Sequence, residues 1–206
     1  MLLLTVMIMC MWPVQTNYRS SVEMVTSLSV WVSIGIRMGS LYVPLESKST
    51  MVMYMYVTST MIVFRFFDSD LNFIRSFGSR GSGTGQFNEV YDVDFDSEGK
   101  TYIADSHNHR IQVVDKSGQF VQQFGQEEGE GKLKWPTAVH VVGQFVYVSN
   151  EGHGCISVYQ TSGQFVTSFG KYGEGKRKLL GPYGITSDQK GFIYVTDFNN
   201  NRVEVF

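Results

Sequence analysis

Cysteine is nearly absent from this chain. Two cysteines in 206 residues, Cys10 and Cys155, build neither a disulfide framework nor a cysteine-rich zinc module. That scarcity agrees with a reducing, cytoplasmic setting. An excess of charge is missing too. The formal net charge is −2 and the sequence pI about 6.1, so no global basic field points to nucleic acid or an anionic membrane. From Arg65 onward, 14 Lys and Arg stand against 17 Asp and Glu. No glycine-rich phosphate loop, Ser-His-Asp set or carboxylate pair stands out. Nothing carries a helical period, and no residue set asks for a cofactor.

What is present is a repeat. Lys100-TYIADSHNHRIQVV-Asp115 recurs as Gln144-FVYVSNEGHGCISVY-Gln160 and as Gly191-FIYVTDFNNNRVEVF. Tyr102, Tyr147 and Tyr194 lie 45 and 47 residues apart, and the Phe-Gly pairs at Phe77, Phe124 and Phe169 lie 47 and 45 apart. A period of this length means one supersecondary unit copied in tandem. Each copy shows four short runs rich in Val, Ile, Tyr and Phe, separated by turns such as Ser97-Glu98-Gly99 and Lys116-Ser117-Gly118. The expected fold is all-β: a β-propeller of four-stranded antiparallel blades. The expected blades are about 62–86, 87–134, 135–181 and 182–206, so three to four blades are readable. Their open edges lead us to expect a poorly soluble piece of a larger propeller.

The strings YIADSHNHRIQVVDKSGQFVQQFG and YVTDFNNNRVEVF resemble the NHL family over Ile62 to Phe206. That resemblance implies a β-propeller, commonly six-bladed. The chain lacks the paired glycines of Kelch repeats and the Trp-Asp ending of WD40 repeats. It looks like the C-terminal domain of tripartite-motif NHL ubiquitin ligases, which selects protein or RNA targets. The RING and B-box cysteines of those ligases are not in this sequence, so the resemblance implies a non-catalytic recognition or scaffold domain. A second resemblance is to the peptidyl-hydroxyglycine amidating lyase, a secreted propeller enzyme with a metal. A signal peptide, paired cysteines and a histidine set would favour it, and this sequence lacks the last two.

The first 66 residues read differently. All 10 methionines lie between Met1 and Met61, and only Gly35 and Gly39 of the 21 glycines precede Arg65. The uncharged run Met1 to Tyr18 has no basic flank, is interrupted by Pro13 and barely reaches spanning length, so no membrane partner is read. The codons suggest another origin. When each new codon starts on an old third base, residues 51–67 permit GNVYVCDVNNDRIQVF, with Gly, two Val and Asp forced because Met has a single codon. That is the repeat motif, and residues 4–20 permit a second copy. Residues 1–66 are therefore read as frame-shifted repeats, and 67–206 as the partial propeller.

Two kinds of site follow. Asp105 and Arg110 are five apart, as are Asp197 and Arg202, and in the middle copy both change together to Asn150 and Cys155. Joint loss marks an ion pair closing the loop between strands two and three. Those loops share a propeller face with the connections between blades. The face collects His107, His109, His153, Phe198 and Asn200, the cations Arg80, Lys132, Lys134, Lys176, Arg177 and Lys178, and the rings Tyr172 and Tyr183. Protein targets are the expected partners. Single-stranded RNA is the alternative, since bases stack on rings and phosphates pair with cations. His107, His109 and His153 lack a further ligand at matching positions, so no metal is expected. Cys155 has no basic neighbour in sequence to make it a nucleophile. Phe87 and Trp135 are assigned one repeat position before strand one, with Leu179 or Leu180 in the last copy, and are read as blade-to-blade packing.

Overall fold

A computed structural model describes residues 62–65 and 72–206 in full, together with the backbone of strand segments between residues 32 and 67. The frame-shift reading of residues 1–66 lies largely outside the described residues.

Backbone strands β1 (Val32–Ser33), β2 (Ile36–Arg37), β3 (Ser40–Val43) and β4 (Met51–Val57) precede β5 (Ile62–Phe67) and β6 (Phe73–Phe77). The last four of these pair consecutively and antiparallel. A short parallel pair follows, β7 (Ser79–Arg80) with β8 (Gln86–Phe87). Strands β9 (Val90–Phe95), β10 (Thr101–Asp105), β11 (Arg110–Val114) and β12 (Phe120–Phe124) form one four-stranded meander. Strands β13 (Pro136–Val142), β14 (Phe145–Asn150), β15 (Cys155–Gln160) and β16 (Phe165–Phe169) form the next. After the parallel pair β17 (Lys171–Tyr172) and β18 (Lys178–Leu179) comes a three-stranded sheet of β19 (Pro182–Ser187), β20 (Ile193–Asp197) and β21 (Arg202–Val205). Sequential antiparallel sheets of this size are the blades of a propeller.

The recurring tyrosine has a local cause. The turn from strand one to strand two is built on Asp96, whose Oδ1 accepts the N–H groups of Glu98 and Lys100, both at 2.9 Å. Asp188 does the same for Lys190 and Phe192. Gly99 and Gly191 close these turns at φ 82° and 88°, a region where a side chain is disfavoured. The Tyr102 hydroxyl donates to Asp96 Oδ2 at 3.3 Å and that of Tyr194 to Asp188 Oδ2 at 3.1 Å, tying strand two to the turn before it. The middle blade turns tightly through Gly143 instead, and its Tyr147 packs edge-on against Phe169.

The core lies between blades rather than within any one of them. Ile62, Phe64, Phe87, Val90, Ile103 and Val114 fill the first interface. Tyr102, Ile111, Phe124, Leu133, Val139, Val148 and Tyr159 are among those filling the second, and Ile156, Leu179, Ile193 and Val195 fill the third. Both faces of β10 and β11 are thus covered, so every residue of these strands is buried.

Polar stitches join the first strands of neighbouring blades. Asp92 Oδ2 accepts Val139 N–H at 3.1 Å, and Asp94 Oδ2 accepts Val141 N–H at 2.7 Å. His140 lies 3.1 Å from Asp94 Oδ2 through Nδ1 and 2.9 Å from Ser187 Oγ through Nε2, so three consecutive blades are linked. Burial raises the Asp92 carboxyl to about 7, against the lowering effect of the Val139 N–H, and the Asp94 carboxylate pushes the same way as burial. A carboxyl whose pKa is raised on folding stabilises the fold fully below its unfolded value, near 4, and loses that contribution as pH rises through about 7. Melting temperature is therefore expected to fall from pH 5 to pH 8. In Asp92→Asn, which keeps an acceptor for Val139, that fall should be smaller. Parallel pH profiles for the two proteins would contradict the assignment.

Candidate recognition face and aromatic recess

Each strand-two to strand-three link is a 3-10 turn: Ser106–Asn108, Glu151–His153 and Phe198–Asn200. Each ends on a left-handed residue, His109, Gly154 or Asn201, at φ 57°, 61° and 50°. His and Asn tolerate this region better than most side chains. Gly154 has a further reason, because a Cβ there would lie 2.7 Å from the Leu179 carbonyl oxygen and 2.8 Å from Tyr172 Cα.

The Asp–Arg pair anchors the turn. Arg110 Nε donates to Asp105 Oδ2 at 2.8 Å, with both side chains almost wholly buried. The guanidinium also donates to Gln123 Oε1 and to the carbonyls of Gly83 and Gln86, at 2.8–2.9 Å. Asp105 accepts Asn88 N–H at 2.7 Å and the Asn108 amide. The pair therefore does more than close its hairpin, since it also clasps the connection arriving from the previous blade. Arg202 and Asp197 repeat this at 3.3 Å, with Arg202 donating to the carbonyls of Glu174, Gly175 and Lys178. In the middle blade Asn150 takes over. Its Oδ1 accepts Lys134 N–H at 2.9 Å, and its amide donates to the Lys132 carbonyl and Ser157 Oγ, both at 3.1 Å. Cys155 is a partly buried free thiol whose pKa burial raises, opposite to what a nucleophile needs.

Between these turns lies an open recess of about 360 Å³. Tyr91, Trp135, Tyr183 and Phe198 supply its rings, with Ser106, His107, Thr137, Glu151, Gly181 and Asn199 around them. Tyr91 meets Tyr183 edge-on at 5.9 Å between centroids, and Tyr183 lies 6.1 Å from Phe198. Phe198 is 63% exposed and Trp135 43%.

The structure brings together His107, Tyr183 and Phe198, and separates the other candidates from them. His107 Nε2 is 3.3 Å from Glu89 Oε2. His109 is not part of the lining: its Nδ1 accepts Trp135 N–H at 3.1 Å, and its pKa is lowered by burial and by the nearby His107 and lysines. His153 and Lys176, Arg177 and Lys178 are exposed outside the recess lining. Lys132 is bonded to Glu128, and Lys134 Nζ sits 4.8 Å from the Trp135 ring centroid. Asn200 turns inward, its amide donating to the Gly173 carbonyl at 3.0 Å and to Asp197 at 2.5 Å. Asn108 makes the same contacts one blade-pair earlier, with Gly81 and Asp105. Among the described residues, no three His, Cys, Asp or Glu converge on a common point.

The assignment of Trp135 to the packing position is corrected. Leu133, buried, holds the place of Phe87 and Leu179. Trp135 corresponds instead to Glu89, which shares its left-handed backbone, φ 52° against 55°. The connection from Gly125 to Leu133 is one residue shorter than those from Gly78 to Phe87 and Gly170 to Leu179, so counting along the chain misplaces the tryptophan. Tyr91 was also missed, since its ring joins the recess from the first strand of a different blade.

Repeat, blade topology and interblade core define a β-propeller, and comparison finds similarity to the NHL repeat in its last blade. Residues 179–206 match the NHL repeat model. Protein brain tumor of Drosophila melanogaster is 36% identical over 134 residues, 63% of this chain and 12% of that protein. B-box type zinc finger protein ncl-1 of Caenorhabditis elegans is 38% identical over 134 residues, 63% of this chain and 15% of that protein. E3 ubiquitin-protein ligase TRIM71 of Rattus norvegicus is 49% identical over 41 residues, 20% of this chain and 5% of that protein. The chain thus spans 15% or less of these relatives. In fold it is similar to virginiamycin B lyase from Staphylococcus aureus, with a TM-score of 0.56 at 12% identity over 84% of this chain and 56% of that one.

Proposed function

We infer that this chain is a non-catalytic recognition module that binds protein targets on the face carrying the three 3-10 turns. The observation that carries this reading is the recess walled by Tyr91, Trp135, Tyr183 and Phe198. Exposed aromatic rings held on rigid strands and clasped turns are the anchors that protein interfaces favour. The loop cations favour RNA less than the sequence suggested. Lys132 is engaged by Glu128, and the recess wall carries Glu151 and no Lys or Arg. In a longer protein organised like its relatives, such a module would choose targets in the cytoplasm for ubiquitin transfer performed elsewhere in the chain.

The test is affinity capture from lysate by the wild-type chain and by Tyr183→Ala/Phe198→Ala, with and without ribonuclease. Ribonuclease-resistant proteins held by the wild type and lost, several-fold or more, by the variant are expected. Equal capture by both proteins contradicts the reading, and capture abolished by ribonuclease moves the target to RNA.

A further inference from the structure

The recess also sets the charge of what it binds, an inference that rests on its reading as a recognition site. Tyr91, Tyr183 and Phe198 form a connected group of rings, with Trp135 on the same wall. Ring faces carry negative potential and attract ammonium and guanidinium groups. The carboxylates at the recess agree with the rings, and the nearby cation Lys134 is already placed over Trp135. Glu151 stands on the wall, and Glu89 Oε2 lies 3.3 Å from His107 Nε2. The basic run Lys176 to Lys178 is not part of the lining. The chain already contains one contact of this kind, Lys134 Nζ over the Trp135 ring at 4.8 Å.

We propose that the recess binds an arginine or lysine side chain of an extended basic peptide, its cationic head against the rings of Tyr183 and Phe198 and Glu151 as its counter-charge. A phosphate in the same place would meet Glu151 with like charge, which disfavours a nucleic-acid backbone there.

Calorimetric titration of the full chain with a ten-residue peptide of alternating arginine and serine tests this. The control is the same peptide with citrulline, which keeps size and shape, removes the charge and turns one terminal donor into an acceptor. The arginine peptide is expected to bind about ten-fold tighter or more, as a partly desolvated cation–π contact backed by a carboxylate implies. Phe198→Ala and Glu151→Gln are each expected to reduce the affinity several-fold. Lys176→Gln/Arg177→Gln/Lys178→Gln should leave it within about two-fold, a surface change remote from the contact. Phe198 and Glu151 are not core residues, and unchanged melting of their variants confirms that the fold is kept. Equal binding of the arginine and citrulline peptides overturns the proposal. So does a uridine-rich 12-mer RNA that binds better and tightens in Glu151→Gln. If the peptides bind equally while the Tyr183→Ala/Phe198→Ala protein still loses its captured targets, the charge assignment alone fails. If capture is unchanged as well, the recognition reading fails with it.

Discussion

Replacing Arg110 with methionine is expected to destabilise the chain by about 3–5 kcal/mol, the range for breaking a buried ion pair from one side. The side chain is 2% exposed and its partner Asp105 is fully buried. Methionine fills much of the volume but leaves the Asp105 carboxylate without its counter-charge. The Gly83 and Gln86 carbonyls lose a donor at the same time. The middle blade shows how the fold manages without the pair. There Asn150, Cys155 and Ser157 stand where Asp105, Arg110 and Gln112 do, and Asn150 meets its neighbours as a neutral amide. The triple variant Asp105→Asn/Arg110→Cys/Gln112→Ser is therefore expected to be more stable than Arg110→Met, because no buried charge is left alone. Arg202→Met should cost less, since Arg202 is itself 30% exposed and lies 3.3 Å from Asp197, against 2.8 Å between Arg110 and Asp105. Urea midpoints of the four proteins check the order. A triple variant less stable than Arg110→Met would contradict this account of the motif.

Phe87→Ala and Trp135→Ala form the second large contrast. Phe87 is fully buried, 5.2 Å from the Phe64 ring and 6.4 Å from that of Phe77. Its removal opens a cavity between two blades and is expected to cost about 3–5 kcal/mol. Leu133→Ala, at the same place one blade on, should cost about 2–5 kcal/mol. Trp135 would belong to this class if it packed between blades. It lies on the surface instead, so Trp135→Ala should cost under about 1 kcal/mol while weakening target capture. Thermal melts of the three variants decide it, and a Trp135→Ala melt as low as that of Phe87→Ala would return the tryptophan to the core.

These contrasts mark where the sequence could be read and where it could not. The Asp–Arg spacing was legible because the pair lies within one hairpin, and its joint replacement in the middle copy exposed the coupling. The second role of Arg110, clasping the carbonyls of Gly83 and Gln86, was not, because nothing in the hairpin marks which connection lies against it. The tyrosines were legible as markers but not as donors to Asp96 and Asp188, a contact that needs the turn geometry. The recess was half legible. Tyr183 and Phe198 lie in the first strand and the turn of one blade, whereas Tyr91 comes from two blades earlier and Trp135 was displaced by a shortened loop. The stitches from Asp92 to Val139, from Asp94 to Val141 and His140, and from His140 to Ser187 join residues in different blades, and no spacing within one repeat announces them. Asn200 looked like a surface polar group in a loop, and its inward amide is seen only once the turn is folded.

The most direct test of the recognition face is photo-crosslinking from two positions. Benzoylphenylalanine replaces Phe198 in the recess in one protein. In the other it replaces Phe192, equally an exposed phenylalanine, in the turn joining β19 to β20 on the opposite face. After irradiation in lysate and ribonuclease treatment, discrete protein adducts are expected from position 198 and not from position 192. Adducts of equal yield and pattern from both positions, or adducts at 198 made of RNA alone, would contradict a protein-recognition site at the aromatic recess.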